Sequence, residues 1–332
     1  MNPYLGGRTR LNLFGIPFGL AGLAGLWTET AQFVHLPDAV PDAFWVIAII
    51  AWLVVAGRYM VSASSFRAVL SDVRDAALGP FAALAIVVAT LIGERVYAEA
   101  RVVGEVWVLS TSTASLLFGA WFIAELATGE REIDQLHSGY FLPTVAAGLL
   151  SAQALAATGF HLLAMAAFGT GILSWMLIGS VTLHRLAFRP QPPASLIPTY
   201  AIFSAPPAVA GNAWFEITAA SGTERLDAFQ EVLLGTFLLL IAFQLLLIPT
   251  YLKVPFSLGF WALTFTTTAS GRYAIRVVAD VDVPYGEVAE WLIALAATGL
   301  VAVIAVASVH MTIRGRSRVT AGSALHSSKE RP

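Results

Sequence analysis

Apolar runs of about 20 residues follow one another along nearly the whole chain of 332 residues, separated by short stretches where charge, Pro or Gly collect. A bilayer core of roughly 30 Å needs about 20 helical residues to cross it, so each run reads as a membrane-spanning helix. The pattern predicts ten spans, near 11 to 33, 43 to 65, 78 to 97, 105 to 128, 140 to 158, 161 to 183, 196 to 219, 228 to 250, 256 to 278 and 287 to 311. The stretch from Tyr140 to Leu183 holds no Asp, Glu, Lys or Arg. As one helix it would be roughly 66 Å long, so it must fold back, and Gly159 is the natural turn. The first run follows Arg8 and Arg10, as the apolar core of a signal peptide follows basic residues, but no soluble region comes after it, so it reads as a span.

The spans alternate in character. The first, third, fifth and seventh carry Pro17, Pro80, Pro143, and Pro206 with Pro207, and are rich in Gly and Ala. The even-numbered spans are bulkier, as in Phe44-Trp45-Val46-Ile47 and Phe237-Leu238-Leu239-Leu240. Pro and Gly free backbone groups that lipid cannot satisfy, so such helices belong inside a bundle or beside a water-filled path. The expected fold is all-α and integral to the membrane: five helical hairpins over residues 1–312, with kinked odd-numbered helices inside and even-numbered helices against lipid. The segment 313–332, rich in Gly, Ser, Lys and Arg, is expected to be a disordered basic tail.

Composition narrows the function. Hydrophobic residues make up 57% and charged residues 12% of the chain, which leaves no length for a soluble catalytic domain. There is no cysteine, hence no thiolate nucleophile or Cys-bound metal. The six histidines are scattered, and neither a Gly-x-x-x-x-Gly-Lys phosphate loop nor a Gly-x-Ser-x-Gly elbow is present. No enzyme activity, cofactor or metal is expected, and the net charge of -2 gives no sign of nucleic-acid binding. Most of the Lys and Arg, including Arg8, Arg10, Arg67, Arg74, Arg131, Arg185 and Arg189, fall on the side of the two termini. Cytoplasmic loops retain positive charge, so both termini are expected in the cytoplasm of a multi-pass cell-membrane protein.

Charges within spans are costly and so point to function. Arg58 and Glu125 lie toward the cytoplasmic ends of bulky helices, where snorkelling or pairing accounts for them. Glu94 and Glu216 lie nearer the outer ends, and repeated mid-membrane acids that would build a proton relay are missing. Arg272 follows Phe265 by seven residues, close to two turns, so both share one side of the ninth span with Thr268 between them. Two arrangements satisfy that spacing. Either the side faces a pore, with an apolar plug followed by hydroxyls and an anion-attracting cation, or Phe265 packs between helices and Arg272 pairs with an outer acid such as Glu94. Acids outnumber bases in the outer segments, a field screened within roughly 8 Å at physiological salt.

Four segments carry a resemblance. They are Phe14-Gly15-Ile16-Pro17-Phe18-Gly19-Leu20, Phe141-Leu142-Pro143-Thr144-Val145-Ala146-Ala147-Gly148, Leu196-Ile197-Pro198-Thr199 leading to Ala205-Pro206-Pro207-Ala208-Val209-Ala210, and Phe256-Ser257-Leu258-Gly259-Phe260-Trp261-Ala262-Leu263-Thr264-Phe265. In this order the chain resembles the tellurite-resistance and dicarboxylate transporter family, which includes bacterial tellurite-resistance permeases, fungal malate and sulfite transporters and plant slow-type anion channels. The resemblance implies ten helices around a pseudo-fivefold pore, a homotrimer with one pore per subunit, and a phenylalanine gate at Phe265. Leu263 stands where an aromatic is usual, and Thr266 where plant members have proline.

The expected function is an anion channel or channel-like permease for chloride, nitrate, dicarboxylate or tellurite, with Phe265 limiting conduction and Thr268 and Arg272 lining the path. Its expected partners are small anions and membrane lipid. A proton-coupled carrier of dicarboxylates or tellurite is the alternative, and a membrane protein without transport activity a third.

Overall fold

The computed structural model describes residues 8–219 and 226–327, with side chains as far as Ile313. Its helices are α1 (Gly15–Phe33), α2 (Ala39–Ser62), α3 (Phe66–Arg74), α4 (Ala83–Glu99), α5 (Arg101–Thr128), α6 (Ala147–Ala157), α7 (His161–Phe188), α8 (Tyr200–Ser204), α9 (Pro206–Ala219), α10 (Ala228–Lys253), α11 (Trp261–Val281) and α12 (Gly286–Ser327). The described residues contain no strand. The long apolar run folds back where expected: Gly159 takes a φ of 88°, a conformation open to glycine, between α6 and α7.

Among the described residues, eight helical stretches are long and apolar enough to cross a membrane. They correspond to eight of the ten expected spans. The exceptions are the seventh, which Pro206 divides into α8 and α9, and the ninth, α11, which carries Arg272, Arg276 and Asp280. Both lie in the interior, where protein rather than lipid surrounds them: Ala201, Ala208, Ala213, Thr264, Thr268 and Tyr273 are almost completely buried. α3 is a short amphipathic helix absent from the expected pattern, with Ser65 as its N-cap. α12 continues to Ser327, through most of the segment expected to be disordered; residues 328–332 lie outside the described residues.

Hairpins pair α1 with α2, α4 with α5, α6 with α7, α9 with α10, and α11 with α12. The first member of each hairpin also touches its counterparts, and the contacts α1–α4, α4–α6, α6–α9, α9–α11 and α11–α1 close a ring. The outer helices face away from it. Only 11% of the most apolar window of α10 is buried, against 83% of the window that contains α6. Leu116, Leu177 and Leu246 stand exposed on the outer helices, as lipid contact requires.

Each inner segment opens with an irregular turn: Leu11–Phe14, Gly79–Ala82, Ser138–Phe141 continued by the wide turn Leu142–Ala146, Ala194–Thr199, and Leu258–Phe260. Three of the prolines expected as kinks stand in opening turns or a first helical turn. Pro17 sits in the first turn of α1, Pro80 in the opening turn before α4, and Pro143 in the wide turn before α6, while α1 runs on unbroken to Phe33. A proline in a first turn lacks an N–H that had no partner there to lose, so it starts a helix without bending it. Only Pro206 and Pro207 mark an interruption, with α8 ending at Ser204 and α9 beginning at Pro206.

Candidate functional site

The five opening turns surround a cavity of about 720 Å³ at the end of the bundle that holds Asn12 and His310. Its wall is largely apolar, built from Leu13, Phe81, Phe141, Leu142 and Leu258, with Arg10, Asn12 and His310 among its few polar members. A second cavity, of about 150 Å³, lies toward the opposite ends of the same inner helices. Gly22 and Thr28 of α1, Glu94 of α4, Gln153 of α6, Asn212 of α9 and Arg272 of α11 all line it. Every inner helix therefore contributes to both cavities.

Phe265 is where the two meet. Its side chain and that of Val209 are the residues common to both walls. The Phe265 ring is 6% exposed and lies nearly parallel to Phe18 of α1, with centroids 3.6 Å apart and planes at 13°. Gly22 makes room on the other side, since a Cβ there would stand 2.8 Å from the Phe265 ring.

The sequence spacing placed Phe265 and Arg272 on one side of a helix, and both do line the small cavity. Thr268 does not join them. It is fully buried, its hydroxyl donates within α11 to the carbonyls of Thr264 (3.0 Å) and Phe265 (3.1 Å), and it packs against the Gly22 surface of α1. A hydroxyl bonded back to its own helix turns away from the cavity, and Ala269, one position on, takes the wall place.

Arg272 is not a solitary cation. Its Nε donates to Glu29 at 2.8 Å and an Nη to Glu216 at 3.0 Å. Arg276, one turn further along α11, also binds both acids: its Nε lies 2.6 Å from Glu29, and an Nη donates to Glu216. Two acids and two guanidiniums thus form a closed cluster joining α1, α9 and α11, with Glu29 only 3% exposed. Pairing offsets the cost of burying each charge, and the formal charges cancel. Sequence reading had offered Glu94 as the partner of Arg272; Glu94 instead accepts two hydrogen bonds from Gln153 Nε2, at 3.2 and 2.9 Å. It singled out neither Glu29 nor Arg276. The available signal was the four-residue step from Arg272 to Arg276, which puts both on one helix face and asks for buried acid opposite.

Other charged residues serve the scaffold. Glu125 pairs with Arg74 at 2.9 Å, tying α5 to α3. His137, just before the opening turn of α6, accepts a hydrogen bond at Nδ1 from Gly139 N–H and stacks near Phe81 of the wide cavity. Burial pushes its imidazole down to about 4, so it is neutral in ordinary conditions.

Residues 8–312 match the family described as voltage-dependent anion channel. The chain belongs to that family. The family is one of anion channels and transporters, not of enzymes, and membership accounts for the ring of helices with cavities along it. Among its relatives is the tellurite resistance protein TehA homolog of Haemophilus influenzae, 29% identical over 257 residues that make up 76% of each chain. The S-type anion channel SLAH1 of Arabidopsis thaliana is 28% identical over 54% of this chain and 46% of its own. A second channel of that plant, SLAH2, is 22% identical over 81% of this chain and 52% of its own. The matches thus span about half the length of the two plant channels.

Proposed function

We propose that this family member passes small anions through each subunit along the axis of the inner ring, from the wide cavity, past Phe265, to the small one. The carrying observation is that Phe265, together with Val209, forms the shared wall of two cavities lined by the same five inner helices. An apolar constriction excludes water and ions until its side chain moves, which makes Phe265 the gate and Phe18 the surface it rests on. The recurring opening turns and the closed ring of inner helices support a pseudo-fivefold arrangement, in which α8–α9 and α11 complete ten crossings. The family resemblance supports a homotrimer with a pore in each subunit, and the Lys and Arg distribution supports cytoplasmic termini. The wide cavity is then the cytoplasmic vestibule, and its apolar wall with few fixed charges suits weakly hydrated or organic anions as well as chloride.

Anion efflux from proteoliposomes tests the reading. Phe265→Ala is expected to raise flux roughly tenfold or more, equivalent to ~1.4 kcal/mol or more off the barrier. Flux should grow in proportion to the driving force. Unchanged flux in folded protein would remove the gate assignment. Saturation together with dependence on the proton gradient would replace the channel by a proton-coupled carrier of dicarboxylates or tellurite.

A further inference from the structure

Among the charged residues that line the small cavity, Glu94 differs from Arg95 and Arg272 in having no ion pair among the described residues. Glu29, Glu216, Arg272 and Arg276 neutralise one another. Arg95 is held by Asp42 at 2.6 Å and Glu99 at 3.0 Å, and Arg101 by Glu105 at 3.0 Å. Glu94 lines the cavity and has no ion pair within 4.0 Å among the described residues; its hydrogen bonds come from the neutral amide of Gln153. The titratable groups carried by the elements packed around it are Glu29 of α1, Asp42 of α2, the Arg101–Glu105 pair of α5, and Arg95, Tyr97 and Glu99 of its own helix. Across the cavity stand Glu216 of α9 and Arg272 and Arg276 of α11, while α6 supplies no titratable group there.

A second acceptor stands in the same wall. Asn212 is 2% exposed, and its Nδ2 donates to the Ala269 carbonyl at 3.0 Å. Its Oδ1 is buried without a hydrogen-bond partner among the described residues. The cavity therefore offers one unmatched acceptor, Asn212 Oδ1, and, with Glu94 ionised, a carboxylate without an ion pair among the described residues, in a space of about 150 Å³ that a passing anion must share.

We propose that Glu94 is a specificity-determining residue of this pathway, opposing anions as a carboxylate and admitting them as an acid. Taking a proton from solution at the cavity mouth cancels the carboxylate charge and turns an acceptor into an O–H donor. That donor can bond an anion or Asn212 Oδ1. The consequence is an anion path that opens to permeation on acidification at the small-cavity end, independently of Phe265. The proposal rests on the pore reading above, so its test is run with the gate already removed.

Chloride efflux is measured from proteoliposomes holding Phe265→Ala, with and without Glu94→Gln or Glu94→Asp, across roughly pH 8 to 5, the range over which a buried carboxyl group takes up its proton. Phe265→Ala alone should conduct several-fold faster at the acid end. Adding Glu94→Gln should give the fast rate at every pH, and Glu94→Asp should keep the pH dependence. Gln153→Leu, which leaves Glu94 in place but removes its amide donors, should move the midpoint to higher pH. His137 is unchanged in all these proteins, so any part of the response that it causes stays. An unaltered pH profile in Glu94→Gln overturns the proposal, as does an unmoved midpoint in Gln153→Leu. If Phe265→Ala itself conducts no faster than the parent, the pore reading fails first.

Discussion

The two cavities that meet at Phe265 are walled by the same five helices and yet differ in almost every physical respect. The wide one sits where each inner segment opens with an irregular turn, and its wall is largely apolar. The narrow one sits where the helices are regular and packed closely enough to need Gly22 in the wall, and it contains Glu94, Gln153, Asn212 and Arg272. Irregular turns splay the chain and leave room that apolar side chains only partly fill. Regular helices approach one another, and polar groups trapped between them must find partners. The difference teaches that width and polarity are assigned to opposite ends of one ring of helices. On the proposed path, the wide end would accept an anion with little regard to its shape, whereas the narrow end would supply the charged and amide groups that tell anions apart.

The largest expected effect comes from erasing the boundary. Phe265→Ala joins the two spaces, and the flux rise set out above is its measure; with no rise, the comparison is one between two unrelated pockets. Next is the cluster that defines the narrow end. Glu29→Gln leaves two guanidiniums sharing Glu216, and breaking a buried pair in this way costs about 3–5 kcal/mol. The measure is a lowered melting temperature in detergent, and Glu29→Gln combined with Arg276→Gln should recover part of the loss. Equal melting of single and double variants would mean that the four charges do not act as a unit.

A smaller effect is expected from Gly22→Ala, whose Cβ would meet the Phe265 ring at 2.8 Å. Overpacking of this kind costs typically about 1–3 kcal/mol. The Cβ would meet the Thr268 hydroxyl first and the boundary ring next, so part of the strain should be relieved by displacing the ring, seen as a modest rise in flux; lowered stability with unchanged flux would show that Thr268 takes the strain or that Phe18 fixes the ring.

The smallest effect at neutral pH belongs to His137, at the wide end. Its pKa falls from 6.5 to about 4 on folding, so its contribution is complete above about 6.5 and is lost as pH falls toward 4. His137→Asn preserves an acceptor for Gly139 N–H and removes the titration. Its melting temperature should match the parent at neutral pH and decline less on acidification, separating acid effects at this end from those at Glu94.

Much of the scaffold was legible before folding. The hydropathy runs located the helices, Gly159 located the turn within the long apolar run, and the alternation of Pro-rich with bulky spans separated inner from outer helices. What misled was local chemistry read without its surroundings. Prolines taken as kinks mostly begin helices, because their distance from the helix start rather than their presence decides the outcome. Thr268 lay at the right spacing for the cavity but spends its hydroxyl on its own backbone. Phe265 was reached only through the family resemblance and its spacing from Arg272; nothing in its own type distinguishes it from the other nineteen phenylalanines.

The amino-acid sequence by itself determined that the chain is helical and apolar, where its helices fall, and which of them avoid lipid. Those properties follow from transfer free energy and backbone hydrogen bonding, which are local to each segment. The tertiary structure alone decided that Glu29 meets Arg272 across 243 positions of sequence, that Glu94 does not, and that Phe265 and Val209 are shared by the walls of two cavities. Partner choice among buried charges depends on distances between helices that no single helix encodes, because pairing is favourable only where the fold brings opposite charges within hydrogen-bond reach.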